Sequence, residues 1–135
     1  MISALDTSVL VDVLWGDPDF AAGSRRALEE AAHAGALIVS PVVVAELRQA
    51  YRSDDEVMEL LSDFGVHVVP LERDEGLYAG RVHRRYRQAG GTRSRVVADF
   101  LIAAHARHRA DRLIARDRGF FRDVFTDLTV WYPQG

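Results

Sequence analysis

Four carboxylates occupy positions where an acidic side chain either suits chemistry or needs a partner: Asp6, Glu46, Asp99 and Asp117. Asp6 directly follows the apolar run at residues 2–5, and Asp117 comes two residues after the apolar run at residues 113–115. Both runs are predicted to be buried strands. Ligands of open parallel sheets bind beyond the carboxyl ends of the strands. The two aspartates are therefore candidates for a binding or catalytic site.

The other two acids fall on apolar stretches of predicted helices. Asp99 shares helical spacing with Val96 and Ile102, and Glu46 has apolar neighbours at three and four residues, such as Val43. An ionised acid on an apolar face is unfavourable by several kcal/mol unless it is paired or bound to a metal. The chain has no lysine, so the possible partners are an arginine, a hydroxyl, a backbone donor or a cation.

Carboxylates that come together repel each other and raise each other's pKa values. A divalent cation relieves this repulsion, and a site made only of oxygen ligands favours Mg²⁺ or Mn²⁺ over zinc. Metal ions held by carboxylates are suited to the hydrolysis of phosphodiesters. The sequence therefore favours a metal-dependent hydrolase if the four acids converge, which their spacing alone does not show.

Each acid also has a purely structural interpretation. Asp6 and Asp117 both precede predicted helices and could serve as N-caps. Glu46 could pair with Arg48 or Arg52 on its own helix. Asp99 is the hardest to explain in this way, and the structural alternative for it is a buried ion pair.

The composition excludes several other kinds of site. All seventeen basic residues are arginine, and there is no cysteine. A P-loop and a Schiff-base enzyme both need lysine, while thiol nucleophiles, thiolate zinc sites and disulfides need cysteine. His105 and His108 lie three residues apart. We interpret them as part of a solvated helix end rather than as a zinc pair.

Strands and helices alternate along the chain, which predicts one domain over residues 1–135 with an α/β sandwich around a mainly parallel sheet. The predicted strands cover residues 2–5, 37–39, 66–71, 113–115 and 128–131. The predicted helices cover residues 8–15, 18–33, 41–52, 54–64, 73–88, 95–109 and 119–124. The N-terminus lacks the features of a signal peptide, so the cytoplasm is the expected location.

Four blocks of sequence resemble a PIN-domain ribonuclease, and most closely the VapC-type toxin of a type II toxin–antitoxin pair. The blocks are Leu-Asp-Thr-Ser at 5–8, Ser-Pro-Val-Val-Val-Ala-Glu-Leu at 40–47, Ala-Asp-Phe-Leu-Ile-Ala-Ala-His-Ala at 98–106, and Ala-Arg-Asp-Arg-Gly-Phe at 115–120. The resemblance spans the chain in order, and the block around Asp99 followed by Asp117 is its most specific part. It implies a three-layer α/β/α sandwich.

The resemblance also implies a function and a set of site residues. Asp6 and Asp99 would be the principal ligands of Mg²⁺ or Mn²⁺, Glu46 would hold a metal-bound water or a second ion, and Asp117 would complete the site. Ser8 would support Asp6. The implied reaction is hydrolysis of RNA by metal-activated water, in a homodimeric toxin held inactive by a cognate antitoxin protein. Arg116 stands where many relatives carry a small polar residue.

The arginines are distributed unevenly, which bears on RNA binding. Residues 1–80 contain five arginines and fifteen acids, whereas residues 81–135 contain twelve arginines and five acids. Arginines contact phosphates without reading sequence, and we predict that Arg93 and Arg116 contact RNA. The alternatives are a catalytically silent PIN-like module that binds RNA or protein, and a structure-specific DNA nuclease.

Overall fold

A parallel β-sheet forms the centre of the fold in the computed structural model of the chain, which describes residues 1–92 and 95–133. Within these residues the sheet has five strands in the order β3-β2-β1-β4-β5, and every neighbouring pair is parallel. The strands are β1 Ser3–Leu5, β2 Leu37–Val39, β3 Val66–Val68, β4 Arg112–Ile114 and β5 Val130–Trp131. The predicted parallel sheet is confirmed.

Helices flank the sheet. They are α1 Thr7–Leu14, α2 Ala21–Ala34, α3 Pro41–Arg48, α4 Asp54–Asp63, α5 Arg73–Gln88, α6 Val97–Arg109 and α7 Phe120–Val124. Every residue of β1 and β2 is buried. Because successive side chains of a strand point to opposite faces of the sheet, both faces of these two strands must be covered. The predicted α/β/α sandwich is therefore confirmed.

The strand order creates a crevice at the centre of the sheet. From β1 the chain proceeds to β2 on one side, and from β4 it proceeds to β5 on the other. The connections after β1 and β4 therefore lead away from each other, and this reversal of direction is where α/β sheets bind ligands. Asp6 follows β1, and Asp117 follows β4. The topology brings the ends of these two strands together although they are far apart in sequence.

An aromatic cluster connects α5, α6 and α7 below this edge of the sheet. Phe100 packs edge-on against Phe120, with ring centroids 5.5 Å apart, and Tyr86 lies 5.6 Å from both rings. Phe121 and Phe125 are almost completely buried in the same cluster. Aromatic pairs in this geometry add to the stability gained from burial of their area. The cluster fixes the beginning of α6, which carries Asp99, and the beginning of α7, which follows the loop of Asp117.

Several predicted boundaries differ from the structure for local reasons. The second helix begins at Ala21 and not near Pro18, because the side chain of Asp17 accepts hydrogen bonds from the N–H groups of Asp19 and Phe20 at 2.9 Å. This Asx-type turn competes with the helix. Strand β3 ends at Val68 rather than residue 71, and Pro70 has no N–H to continue the ladder.

The third helix was predicted to extend to residue 52 but ends at Arg48. The guanidinium of Arg48 donates to the carbonyl of Tyr51 and to Asp54, both at 2.8 Å, and holds the chain in a turn. The cap of α4 is the hydroxyl of Ser53. In the part of the chain that the structure describes, no helix has the length and apolar character needed to cross a membrane.

Candidate active site

Asp6 is the most deeply buried of the four candidate acids, with 8% of its surface exposed. Its N–H donates to the carbonyl of Ile114 at 2.9 Å, which joins it to the end of β4. Its carboxylate caps α1 by accepting from the backbone N–H of Ser8, and it accepts from the Ser8 hydroxyl at 2.6 Å. Asp6 is thus an N-cap, as its structural interpretation predicted, and it is also positioned in the crevice.

The electrostatic environment of Asp6 disfavours its ionised form. Burial raises the pKa of Asp6 to about 6, and the negative charges of Glu46 and Asp99 act in the same direction, although the hydrogen bonds from Ser8 oppose them. The fold therefore brings residues from β1, α3 and α6 near enough to interact through their charges. A cation placed among these groups would reverse the unfavourable balance.

Glu46 lies on the exposed side of α3, where it contacts the first turn of α1. The hydroxyl of Thr7 donates to Glu46 Oε1 at 2.6 Å. The predicted alternative of a pair with Arg48 is not what the structure contains, because the Nε of Arg48 donates to Asp54 instead. Sequence analysis did not identify Thr7, and its position directly after Asp6 was the available signal.

Asp99 lies in the first turn of α6, and 24% of its side chain is exposed. Its Oδ2 accepts from the backbone N–H of Val96 at 3.3 Å, and its Oδ1 lies 4.0 Å from the guanidinium of Arg95. A carboxylate is favoured at the N-terminus of a helix, where backbone N–H groups are unpaired. These contacts explain how an acid is tolerated between apolar neighbours on this helix.

Asp117 lies in the loop between β4 and α7. It accepts hydrogen bonds from the backbone N–H groups of Gly119 at 3.2 Å and Phe121 at 3.0 Å. The N-cap residue itself is Gly119, whose φ of +94° suits a glycine. Tyr132 is a neighbour that sequence analysis did not single out. Burial, together with the nearby Asp117, raises the pKa of Tyr132 to about 12.

The chemistry of these residues fits a hard divalent cation, although their side chains are engaged elsewhere. All four offer only carboxylate oxygens, which Mg²⁺ and Mn²⁺ prefer. Within the described residues, Asp6 Oδ1 and Glu46 Oε2 accept no hydrogen bond. Among the same residues, no three acidic or histidine side chains are arranged as a group that could hold a metal ion.

The guanidinium of Arg116, which was predicted to contact RNA, is bound to a side chain of the protein itself. Its guanidinium donates two hydrogen bonds to Asp12, at 2.7 and 2.6 Å, and stacks over Phe20 at 4.1 Å. Asp12 is 1% exposed and also accepts from the hydroxyl of Ser24 at 2.7 Å. The backbone N–H of Arg116 donates to the hydroxyl of Ser8 at 3.0 Å. RNA contact by Arg116 stays a prediction.

Asp12 was not identified from the sequence, although it carries the same signal as Asp99, an acid among apolar helix positions in a chain without lysine. Arg93, the other predicted RNA contact, lies outside the described residues. The two histidines of α6 point to different neighbours. His105 is buried with Nε2 2.8 Å from the carbonyl of Val69, whereas Nδ1 of His108 lies 2.8 Å from that of Ala104. His105 therefore belongs to the core and not to a solvated helix end.

Solved structures of toxin–antitoxin proteins are similar to this chain along its whole length. The crystal structure of VapBC2 from Rickettsia felis, bound to a DNA fragment from the VapBC2 promoter, matches with a TM-score of 0.76 and 21% identity. The match covers 99% of this chain and 100% of that one. VapBC-1 from nontypeable Haemophilus influenzae matches with a TM-score of 0.73 and 22% identity over 98% of each chain. VapBC-5 from Mycobacterium tuberculosis matches with a TM-score of 0.61 and 22% identity over 99% and 98%.

At these identities the similarity establishes the fold. No curated protein sequence is a significant match to the chain. The sequence profile of the PIN domain, however, matches residues 4–124. This match contains the ends of β1 and β4 and all four candidate acids, and it confirms the resemblance inferred from the sequence blocks. The chain therefore belongs to the PIN domain family.

Proposed function

We propose that the chain is a Mg²⁺- or Mn²⁺-dependent endoribonuclease that acts as the toxin of a toxin–antitoxin pair. The observation that carries the proposal is Asp6, a buried carboxylate at the sheet's crevice whose ionisation is disfavoured by burial and by Glu46 and Asp99. An acid whose ionised form is disfavoured by burial and by neighbouring charges in a crevice is typical of a functional site. Nucleases of the PIN family generally use divalent metals.

In this proposal Asp6 and Asp99 are the principal metal ligands, with Glu46 and Asp117 completing the site. A bound Mg²⁺ or Mn²⁺ supplies an activated water and stabilises the charge that develops on the phosphate. Ser8 holds one oxygen of Asp6, and Thr7 holds one oxygen of Glu46. These hydroxyls restrain the two carboxylates and leave Asp6 Oδ1 and Glu46 Oε2 available to a metal. Backbone N–H groups give Asp117 a fixed orientation.

RNA is proposed as the substrate because the chain combines a group of candidate acids with an excess of arginine in the second part of its sequence. This second part, residues 81–135, contains twelve arginines and five acids. Phosphate contacts from arginine supply affinity for nucleic acid without sequence reading. Arg93 and Arg116 remain the predicted RNA contacts, together with the more general basic character of this part.

An antitoxin protein and a homodimer are the proposed partners. The similar structures are of toxin–antitoxin complexes. An open pocket of about 420 Å³ adjoins Glu46 and is lined by Thr7, Val11 and the exposed Trp15, among others. Exposed apolar residues beside polar ones are typical of protein–protein contact. We propose that an antitoxin segment covers this pocket and places an arginine against the carboxylates, in the cytoplasm.

The test is cleavage of a labelled single-stranded RNA by the purified chain with Mg²⁺, with Mn²⁺ and with EDTA. We expect cleavage that needs the metal and falls at least about a hundredfold in Asp99→Asn. The matched control is Asp74→Asn, which removes an acid whose side chain is 74% exposed and distant in sequence from the four candidates. It should cleave at the rate of the unmodified chain.

The outcomes separate the alternatives. RNA binding without cleavage under every metal condition would identify a catalytically silent binding module. Preferential cleavage of branched or flapped DNA would identify a structure-specific DNA nuclease. Unchanged cleavage in Asp99→Asn would show that the site has been assigned wrongly. Growth arrest on expression of the chain alone, relieved by Asp6→Ala, is the expected behaviour of a toxin.

A further inference from the structure

An open groove of about 1120 Å³ lies between the C-terminal half of α5 and the beginning of α6. Its α5 wall consists of residues at helical spacing, which place them on one face: Gly80, His83, Arg84, Arg87 and Gln88. The opposite wall contains Arg95, Val96 and Val97. Three guanidinium groups therefore line one groove, and its two walls are joined by the short connection between the helices.

Two of the three guanidinium groups in this groove, those of Arg84 and Arg87, differ from other arginines of the chain that are bound to acids. Arg107, Arg109 and Arg116 each form an ion pair with an acid at 3.1 Å or less. In contrast, Arg84 and Arg87 have no carboxylate partner within residues 1–92 and 95–133. Both residues are exposed on α5. Exposed cations without acidic partners attract a polyanion, and walls of low dielectric strengthen this attraction.

The groove is held open by the aromatic cluster. The ring of Tyr86 packs against Phe100 and Phe120, and its hydroxyl accepts from the backbone N–H of Thr92 at 3.1 Å. Gly91 lies so close to the Tyr86 ring that an added Cβ would come within 2.3 Å of it. The guanidinium of Arg95 stacks over Phe120 at 4.1 Å. The position of Arg95 is therefore set before any ligand binds.

The groove adjoins the candidate active site through Arg95. This residue is in the groove wall, and its Nη1 lies 4.0 Å from Asp99. A chain that occupied the groove would thus lie close to Asp99, whose charge acts on Asp6. Its contacts with the groove would be to cations, whereas its contacts with the crevice would be to acids and a metal. A single-stranded nucleic acid satisfies both, because its backbone carries one phosphate per nucleotide.

We propose that this groove binds the backbone of the substrate RNA beside the bond that is cleaved, with Arg84 and Arg87 on successive phosphates and Arg95 next to the reacting one. The inference rests on the proposed function and deepens it, since it assigns the path of the substrate. Gly80, where nothing lies within 4 Å of an added Cβ, leaves space for close approach of the strand. The sugar and base faces contact the exposed rim formed by Val96 and Val97.

The test is binding of a fluorescein-labelled single-stranded RNA, followed by anisotropy in EDTA so that no cleavage occurs. The variant is Arg84→Gln with Arg87→Gln. Its matched control is Arg25→Gln with Arg26→Gln, which removes the same charge from exposed positions of α2. Loss of two phosphate contacts should reduce the slope of log affinity against log salt by about 1.4, and affinity by about 25-fold near ~0.1 M salt. The control pair should change affinity less than about threefold, because charges far from the strand are screened.

Two further arms make the interpretation specific. Arg84→Lys with Arg87→Lys should restore most of the affinity, since a phosphate contact needs the charge more than the guanidinium shape. In cleavage assays with Mg²⁺, the glutamine pair should raise KM by a similar factor and leave kcat unchanged, because these contacts form equally in the bound substrate and the transition state.

Equal losses in the groove pair and the α2 pair would overturn the inference. So would an unchanged KM in a chain that cleaves RNA, and in that case the proposed function would still stand. If the groove pair instead retained RNA affinity but lost binding to a purified antitoxin, the groove would be a protein interface. If RNA binding depended on the groove but no metal supported cleavage, the groove would stand and the proposed nuclease would fail.

Discussion

At the scale of single residues, the candidate site consists of side chains whose structural contacts do not remove their reactivity. Asp6 caps a helix and yet remains an unfavourable anion, because two hydrogen bonds from Ser8 do not offset burial and two nearby acids. The hydrogen-bond partners of Asp12 differ from those of Asp6. It is more completely buried than Asp6, but two hydrogen bonds from Arg116 and one from Ser24 satisfy it. Two buried acids thus differ in their role through their partners, and the more deeply buried one is the structural one.

Asp6→Asn should stabilise the metal-free protein at neutral pH while abolishing cleavage. In the native state the carboxyl of Asp6 has a pKa of about 6, whereas in the unfolded chain its pKa is near 3.8. The native state therefore binds more protons between about pH 4 and 6, and its stability falls as the pH rises through that range. Above pH 7 the variant should gain about 2–3 kcal/mol in free energy of unfolding.

The measurement is urea denaturation in EDTA at several pH values from 4 to 8. The unmodified chain should lose stability across the range from 4 to 6 more steeply than Asp6→Asn, while Asp74→Asn should follow the unmodified chain. Parallel curves for the unmodified chain and Asp6→Asn would mean that Asp6 ionises normally in the native state.

At the scale of secondary-structure elements, the turn at Gly90 and Gly91 that follows α5 packs on the aromatic cluster beside the groove. Gly90 has a φ of +86°, and Gly91 packs on the ring of Tyr86. The predicted bounds of α5, residues 73–88, agree with the structure. The aromatic contact of Gly91 could not be predicted, because it depends on how Tyr86 packs against Phe100 and Phe120.

Gly91→Ala should destabilise the protein and weaken RNA binding together. An added Cβ would meet the Tyr86 ring at 2.3 Å, so the ring or the turn must move, at a loss of about 1–3 kcal/mol in free energy of unfolding. The matched control is Gly76→Ala in α5, where nothing lies within 4 Å of the added Cβ. This control should gain up to about 1 kcal/mol, since alanine favours a helix.

Both values come from denaturant unfolding, with RNA anisotropy on the same samples. A Gly91→Ala protein as stable as the Gly76→Ala control would show that the turn accommodates a side chain without displacing Tyr86. In that case the turn would not be what holds Arg95 in the groove wall.

At the scale of the whole molecule, the sheet places acids from the two oppositely charged parts of the sequence at one edge. Asp6 and Glu46 come from the acidic first part, and Asp99 and Asp117 come from the part rich in arginine. The parallel order β3-β2-β1-β4-β5 makes β1 and β4 neighbours. The small net charge of −3 therefore results from an acidic first part and a basic second part whose charges nearly cancel.

Mg²⁺ should stabilise the unmodified chain against heat, and EDTA should remove the effect. A ligand that binds only the native state at ten times its Kd adds about 1.4 kcal/mol, or a rise of about 5 °C in Tm for a domain of this size. Asp6→Asn and Asp99→Asn should show little rise because each lacks a principal ligand. NaCl at the same ionic strength is the control for screening, and an equal rise in all variants would place the bound metal elsewhere.

The sequence by itself determined the features that depend on neighbouring residues. Alternating apolar runs predicted the strands and helices, the absence of lysine and cysteine excluded whole classes of site, and the blocks around Asp6, Glu46, Asp99 and Asp117 indicated the family. Helix boundaries were less predictable where side chains such as Asp17 and Arg48 compete with the helix for backbone groups. These contacts are local, but the helical and turn conformations that they choose between differ little in free energy.

Only the tertiary structure decided which distant residues meet. Arg116 and the buried Asp12 are 104 residues apart in sequence and form an ion pair, and Thr7 meets Glu46 across 39 residues. The groove of Arg84, Arg87 and Arg95 exists because α5 and α6 pack on a shared aromatic cluster. Such contacts depend on the strand order and on side-chain packing, which arise from the whole chain folding at once and leave no local pattern in the sequence.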